Sequence, residues 1–211
     1  MKLIVISSSK NIENEAKIVT KLFEGGLENF HLSKKKLSKT KMQDFISKIP
    51  KHFHDRIIIH SNLILARKFK LRGINLSSSN KRNSFKTWLL IKFIKFKNPA
   101  IQITTSYTNI GELFQIDKKY DYEYVFLSPI FDSSHSKFQK GFSEHGLSSA
   151  LKKTKLNTIA RGGVEINSIE KAHQLGFYGL AFYSSIWNNP DPVDHFNKLI
   201  EEFEKLNIPI E

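Results

Sequence analysis

The residues best suited to chemistry are small and polar, and they follow short apolar runs. Gly162-Gly163 follows Thr158 to Ala160, and Ser184-Ser185 follows Leu180 to Tyr183. A glycine pair lets backbone N–H groups approach an anion closely, and paired serines add hydroxyls and further amides. Together they predict a phosphate cup. Lys137 lies among Ser133, Ser134, His135 and Ser136. A flexible cation among hydroxyls suits a second phosphate or a departing pyrophosphate.

Positioning these groups requires a repeating scaffold, and the chain supplies one. Apolar runs at Leu3–Ile6, Phe30–Leu32, Ile57–Ile59, Ile74–Leu76, Ile101–Thr105, Tyr122–Leu127, Thr158–Ala160 and Leu180–Tyr183 read as buried parallel strands. Helical stripes separate them, including Ala16, Val19, Leu22 and Phe23, then Met42, Phe45, Ile46 and Ile49, and finally Phe196, Leu199 and Phe203. Asn62–Phe69 and Ile110–Ile116 read as short helices. Asn167 with Glu170 reads as a capping box, Gly176 as a helix stop, and Asp191-Pro192 as a helix start. Strict alternation demands crossover helices. Eight units in 211 residues fit one (β/α)8 barrel spanning 1–211, an α/β fold of the TIM type. An open doubly wound sheet is the alternative, weakened because no glycine fingerprint follows the first strand.

In such barrels the chemistry lies at the strands' C-terminal ends. Here those ends include Ser7, Ser33, His60-Ser61, Ser77, Ser106 and Ser128. Helix capping explains Ser61 and Ser77 without any ligand.

The net charge of +13 raises the question of a polyanionic partner. Only Arg56, Arg67, Arg72, Arg82 and Arg161 are arginines, and the lysines are spread along the chain, which argues against base-reading nucleic-acid recognition. No run approaches a membrane span, cysteine is absent, and Met1 to Ile6 reads as a strand, so that no secretory leader is expected. A small phosphate-bearing ligand, no nucleic acid, no membrane and a cytoplasmic location are expected. The segment Phe85–Phe96 carries Trp88, Leu89, Leu90, Ile91 and Phe93 around most of its circumference. Its burial against the barrel, extending into a homodimer contact, is expected.

Several segments, in order, resemble the thiamine-phosphate synthase and TenI superfamily: FHLSKK (30–35), RIIIHS (56–61), GINLSS (73–78), TTSYTNIGE (104–112), YVFLSPIFDSSHSK (124–137), IARGGV (159–164) and GLAFYSSIW (179–187). The resemblance implies a barrel, often dimeric, of thiamine biosynthesis. The synthase branch joins a hydroxymethylpyrimidine pyrophosphate to a thiazole phosphate and releases pyrophosphate, with Mg2+. By that resemblance Gly162, Gly163, Ser184 and Ser185 match the thiazole-phosphate site, and Ser106 lies near the pyrophosphate. Ser133, Ser136 and Lys137 match a Thr-x-Thr-Lys loop, here one residue longer, with Ile130 and Phe131 as the wall before it. Lys137, Ser106 and Lys35 are the implied catalytic groups, and His31, His60 and Arg161 join the substrate-binding set.

The departures from the family pattern are equally specific. Gln-Leu-Arg-x-Lys reads His31-Leu32-Ser33-Lys34-Lys35, so Ser33 replaces an arginine. An Asn-Asp pair reads His60-Ser61, and a second Asp has no counterpart in Ser77–Asn80. Mg2+ wants carboxylate oxygens, so no metal ligand is assigned and a catalytically degenerate ligand-binding member is the alternative. Arg161 or Lys34 is expected to replace part of the lost positive charge. The tautomerases' strand-six histidine reads Pro129 here.

Overall fold

A computed structural model describes residues 1–115, 119–131 and 143–211. Eight parallel strands close into a barrel in sequence order, which excludes the open sheet. The strands are β1 Lys2–Ile6, β2 Asn29–Leu32, β3 Ile57–Ile59, β4 Gly73–Leu76, β5 Gln102–Tyr107, β6 Tyr124–Leu127, β7 Thr158–Arg161 and β8 Gly179–Phe182. The α-helices among the described residues are α1 Glu15–Glu24, α2 Lys39–Ser47, α3 Leu65–Phe69, α4 Ser78–Arg82, α5 Ser84–Lys95, α6 Glu144–Lys153, α7 Ile169–Leu175, α8 Ser184–Trp187 and α9 Pro192–Lys205. The chain packs as two compact units, Ile6–Thr105, and Met1–Val5 with Ser106–Glu211.

In the unit Ile6–Thr105, β2 to β5 run in parallel register, with Phe30 opposite Ile57, Ile59 opposite Ile74 and Ile74 opposite Ile103. The strands are buried along nearly their whole length, as their unbroken apolar runs require. α1 buries Val19, Leu22 and Phe23, and Phe23 meets Phe30 edge-on and stacks on Phe53. At the strands' other ends, Arg56 Nη1 donates to the carbonyls of Phe23 and Leu27, each at 3.2 Å, and satisfies the last carbonyls below α1.

In the other unit, β6, β7, β8 and β1 pair in that order, with Phe126 opposite Ile159, Ala160 opposite Leu180 and Ile4 opposite Ala181. α9 packs through Phe196, Leu199 and Phe203. Asp191 accepts from the amides of Val193 and Asp194 at 3.0 Å and starts that helix, with Pro192 in its first turn. Gly176 ends α7 at φ +90°, a conformation that favours glycine.

Four local expectations need correction. The cap before α7 is not Asn167 with Glu170. Glu165 and Ser168 form the reciprocal box, because a 3-10 turn over Ile166–Ser168 delays the helix. The left-handed backbone at Asn62 (φ +53°) likewise delays α3 to Leu65. Ile110–Phe114 is a 3-10 helix capped by Asn109 and Glu112. In α5 only Thr87, Ile91 and Ile94 are buried, while Trp88, Leu89 and Phe93 are about half exposed. The seat under α5 holds one stripe of residues, not most of its circumference.

Candidate functional site

The end of β7 turns sharply. Gly162 and Gly163 both adopt positive φ, +87° and +65°. A Cβ at Gly162 would stand 3.0 Å from Pro129 Cα and 3.1 Å from Ser128 Oγ, so both backbone angle and space demand glycine. The segment after β6 continues alongside, with the Ile130 amide donating to Arg161 O and the Phe131 amide to Gly162 O, each at 3.1 Å.

Arg161 is the last residue of β7 and is half-buried. Its guanidinium carbon lies 6.0 Å from the Phe126 ring centroid. Burial pulls its pKa down from the ordinary arginine value, with Tyr183 partly opposing. Among the described residues no carboxylate pairs with it. A cation withdrawn from water without an acidic partner carries an unspent preference for an anion.

At the end of β8 the short α8 begins. Its first backbone bonds are those of the Ile186 and Trp187 amides to Tyr183 O, which leaves the Ser184 and Ser185 amides ahead of the helical ladder. Ser185 Oγ is buried and has no hydrogen-bond partner among the described residues. A buried hydroxyl with nothing to bond is costly, and a phosphate oxygen would satisfy it. Ser106 sits near the end of β5, half-buried.

The ends of β2 and β3 form a second polar cluster, in the unit Ile6–Thr105. His31 is fully buried, and its Nδ1 lies 2.8 Å from His60 Nε2. The Ser33 amide donates to Ser7 Oγ at 2.8 Å. Lys34 Nζ donates to Lys10 O and to Glu15 Oε2 in a buried ion pair. Glu15 also accepts from the Ser8 amide at 3.0 Å. Burial raises the Glu15 pKa despite the lowering influence of Lys34 and of the Ser8 amide. The expectation that Lys34 replaces the lost arginine charge therefore fails, because Glu15 already neutralises it. Glu15 was missed in the sequence, where it reads as an ordinary first-turn acid.

Beside this cluster lies a cavity of about 1200 Å3, lined by Lys10, Lys17, Lys34, Lys35, Lys36, Lys41 and Lys48 together with Ser9 and Ser33. Its carboxylates, Glu15 and Asp44, pair with Lys34 and Lys48. Lys35 and Lys36 are exposed cations on its wall. The lysines of α1 and α2 were not singled out in the sequence, because only folding gathers them.

The positions where the resemblance implies Mg2+ ligands do not fit that ion. His60 bonds His31, Ser61 Oγ is buried without a hydrogen-bond partner among the described residues, and Ser77 caps α4 in a reciprocal box with Asn80. Ser77 thus caps as expected, whereas Ser61 does not. Among the described residues no group of three or more His, Cys, Asp and Glu side chains could hold a metal. Ser133, Ser136 and Lys137 lie outside the described residues.

A closed (β/α)8 barrel with a glycine turn after its seventh strand defines the class. The chain belongs to the thiamine monophosphate synthase family, whose model matches residues 3–186. Among solved structures it resembles thiamine phosphate pyrophosphorylase from Bacteroides thetaiotaomicron, with 26% identity, TM-score 0.76 and coverage of 97% of this chain and 98% of that one. The Pyrococcus furiosus thiamine phosphate pyrophosphorylase superposes equally well, with TM-score 0.76 at 18% identity, over 97% of this chain and 96% of that one. A 3-hexulose-6-phosphate synthase shares the fold at 14% identity and TM-score 0.67, over 96% and 99% of the two chains. No curated protein matches the chain by sequence.

Proposed function

We propose that this protein joins a hydroxymethylpyrimidine pyrophosphate to a thiazole phosphate and releases pyrophosphate. The observation that carries the reading is the cup at Arg161, Gly162, Gly163, Ser184 and Ser185. Among the described residues these strand ends offer a desolvated cation without a carboxylate partner, two glycines at positive φ and a buried hydroxyl with no partner. Those features together suit the phosphate of the thiazole.

In this reaction the bond from the pyrimidine methylene carbon to the pyrophosphate oxygen breaks, and the pyrophosphate keeps the electron pair. The thiazole nitrogen then donates its lone pair to that carbon. Neither step needs a protein nucleophile, so the chain's contribution is to position the reactants and neutralise the leaving group. Lys35, with Lys36 beside it in the lysine-lined cavity, is the proposed counter-charge at the β2 end. Lys137, Ser106, Ser133 and Ser136 are proposed to hold the pyrophosphate, and His60 to face the pyrimidine with its ring oriented by the buried His31.

The test is an assay of thiamine phosphate and pyrophosphate formation from both substrates, with and without Mg2+. Product formation that falls on Lys137→Ala supports the reading. A second reading rests on His60, Ser61 and Ser77 standing where the family carries metal ligands. It is binding of a thiazole or thiamine phosphate without turnover. Ligand-induced stabilisation with no product under either metal condition would establish it.

A further inference from the structure

Helix α5 presents its apolar residues to solvent in an ordered way. Thr87, Ile91 and Ile94 face inward. With 3.6 residues per turn, Phe85, Leu89 and Phe96 fall on the opposite side. Phe85 is 71% exposed and Phe96, the residue that ends the helix, is 79% exposed. Trp88 stacks on Phe85 with ring centroids 6.3 Å apart, extending the apolar strip. Lysines border it, Lys86 and Lys97 along one edge and Lys95 along the other, while Lys92 lies over Trp88 at 5.5 Å. No aspartate or glutamate occurs between Asp55 and Glu112.

We propose that this face of α5 docks the protein on an anionic phospholipid surface. An apolar keel bordered by lysines is the arrangement by which a helix lies in the plane of a bilayer interface, apolar side chains in the acyl boundary and ammonium groups among the headgroups. Tryptophan and phenylalanine suit that depth. The absence of carboxylates along this stretch makes the charge complementary to acidic headgroups. A second copy of the chain is the poorer occupant, because a two-fold contact would set lysine-bordered faces against each other. A nucleic acid would leave Phe85 and Phe96 against phosphates. No helix among the described residues is long and apolar enough to cross a membrane, so the contact is a surface one. The sequence, which holds no membrane-spanning run, predicted no membrane partner and predicted that these side chains would be buried.

Vesicle sedimentation tests this with the whole protein. Vesicles of phosphatidylcholine with phosphatidylglycerol should bind it at low salt, high salt should release it, and pure phosphatidylcholine should not bind. Trp88 emission should shift to the blue on binding, a shift that Trp88→Phe removes, since Trp187 is buried. Phe85→Ser with Phe96→Ser should abolish binding, and Lys92→Glu with Lys95→Glu should weaken it by about tenfold or more. Both pairs should melt as the parent does, because the side chains are exposed. No low-salt binding to the anionic vesicles overturns the proposal. So does binding that survives Phe85→Ser with Phe96→Ser, or a concentration-dependent dimer which that variant dissolves.

Discussion

His31 Nδ1 and His60 Nε2 lie 2.8 Å apart, so one imidazole donates to the other between the ends of β2 and β3. The rings meet edge-on at 80°. Because His31 is fully buried, losing this partner removes a hydrogen bond made away from water. His60→Ala is expected to lower stability by about 1–3 kcal/mol. His60→Asn, which retains a donor and an acceptor, should cost less. Urea unfolding midpoints compare the two, and an unchanged midpoint for His60→Ala would show that the pair contributes nothing.

The Lys34–Glu15 ion pair ties the end of β2 to the first turn of α1, and both side chains are almost wholly buried. Removing one charge leaves the other unpaired in a poorly hydrated site. Glu15→Gln is expected to cost about 3–5 kcal/mol. Glu15→Leu with Lys34→Met removes both charges and should recover most of that loss. A double-mutant cycle by urea denaturation measures the coupling, and simple additivity of the two changes would refute it.

The barrel was legible because each strand is a short apolar run closed by small polar residues. Ile57–Ile59 is named to the residue, and Thr158 to Ala160 falls one residue short of β7. The sharp turn at the glycine pair was legible as well, because glycine takes positive φ without a Cβ penalty. What escaped the sequence was pairing and exposure. Glu15 and Lys34 stand nineteen positions apart, and nothing local marks them as partners. The lysines on the cavity wall are a group only once α1 and α2 flank it. The apolar residues of α5 gave no hint of which face would find a seat. Trp88 and Leu89 are as apolar as Ile91, and only packing decides that Ile91 goes inside.

Arg161 carries the clearest ligand prediction. Its guanidinium is half-buried with no carboxylate partner among the described residues, so its electrostatic preference is available to a phosphate. Arg161→Ala should weaken thiazole-phosphate binding by about tenfold or more, since a hydrogen bond to a charged group contributes about 1.5–3 kcal/mol. Isothermal titration reads the change. Full affinity in the variant would mean that the cup binds through its backbone alone.

His195 gives a pH prediction. Burial lowers its pKa below the ordinary 6.5, and Lys198 adds to the effect, while Asp194 and Glu165 oppose it. Its Nδ1 pairs with Asn189 Nδ2 at 3.0 Å. The unfolded chain therefore takes up a proton at a higher pH than the folded one. The stability owed to the neutral ring is present above the unfolded value and is lost as pH falls through it toward the lower folded value. Urea midpoints should decline over that window, and His195→Gln should flatten the decline. An identical acid limb in the variant would assign the decline to other groups.

Gly162 tests fold and site together. Its φ of +87° disfavours any side chain, and an added Cβ would press on the backbone of Pro129 at 3.0 Å. Gly162→Ala should cost about 1–2 kcal/mol for the left-handed backbone alone, and more if Pro129 cannot give way. The same shift would move the turn that follows Arg161, so phosphate affinity should fall alongside stability. Gly26 provides the control: it has a similar φ of +97° with nothing within 4 Å of an added Cβ. Gly26→Ala should lose stability from backbone strain but keep its affinity for thiazole phosphate. If both variants bind the ligand as the parent does, the turn after β7 is a structural feature and the phosphate is held elsewhere.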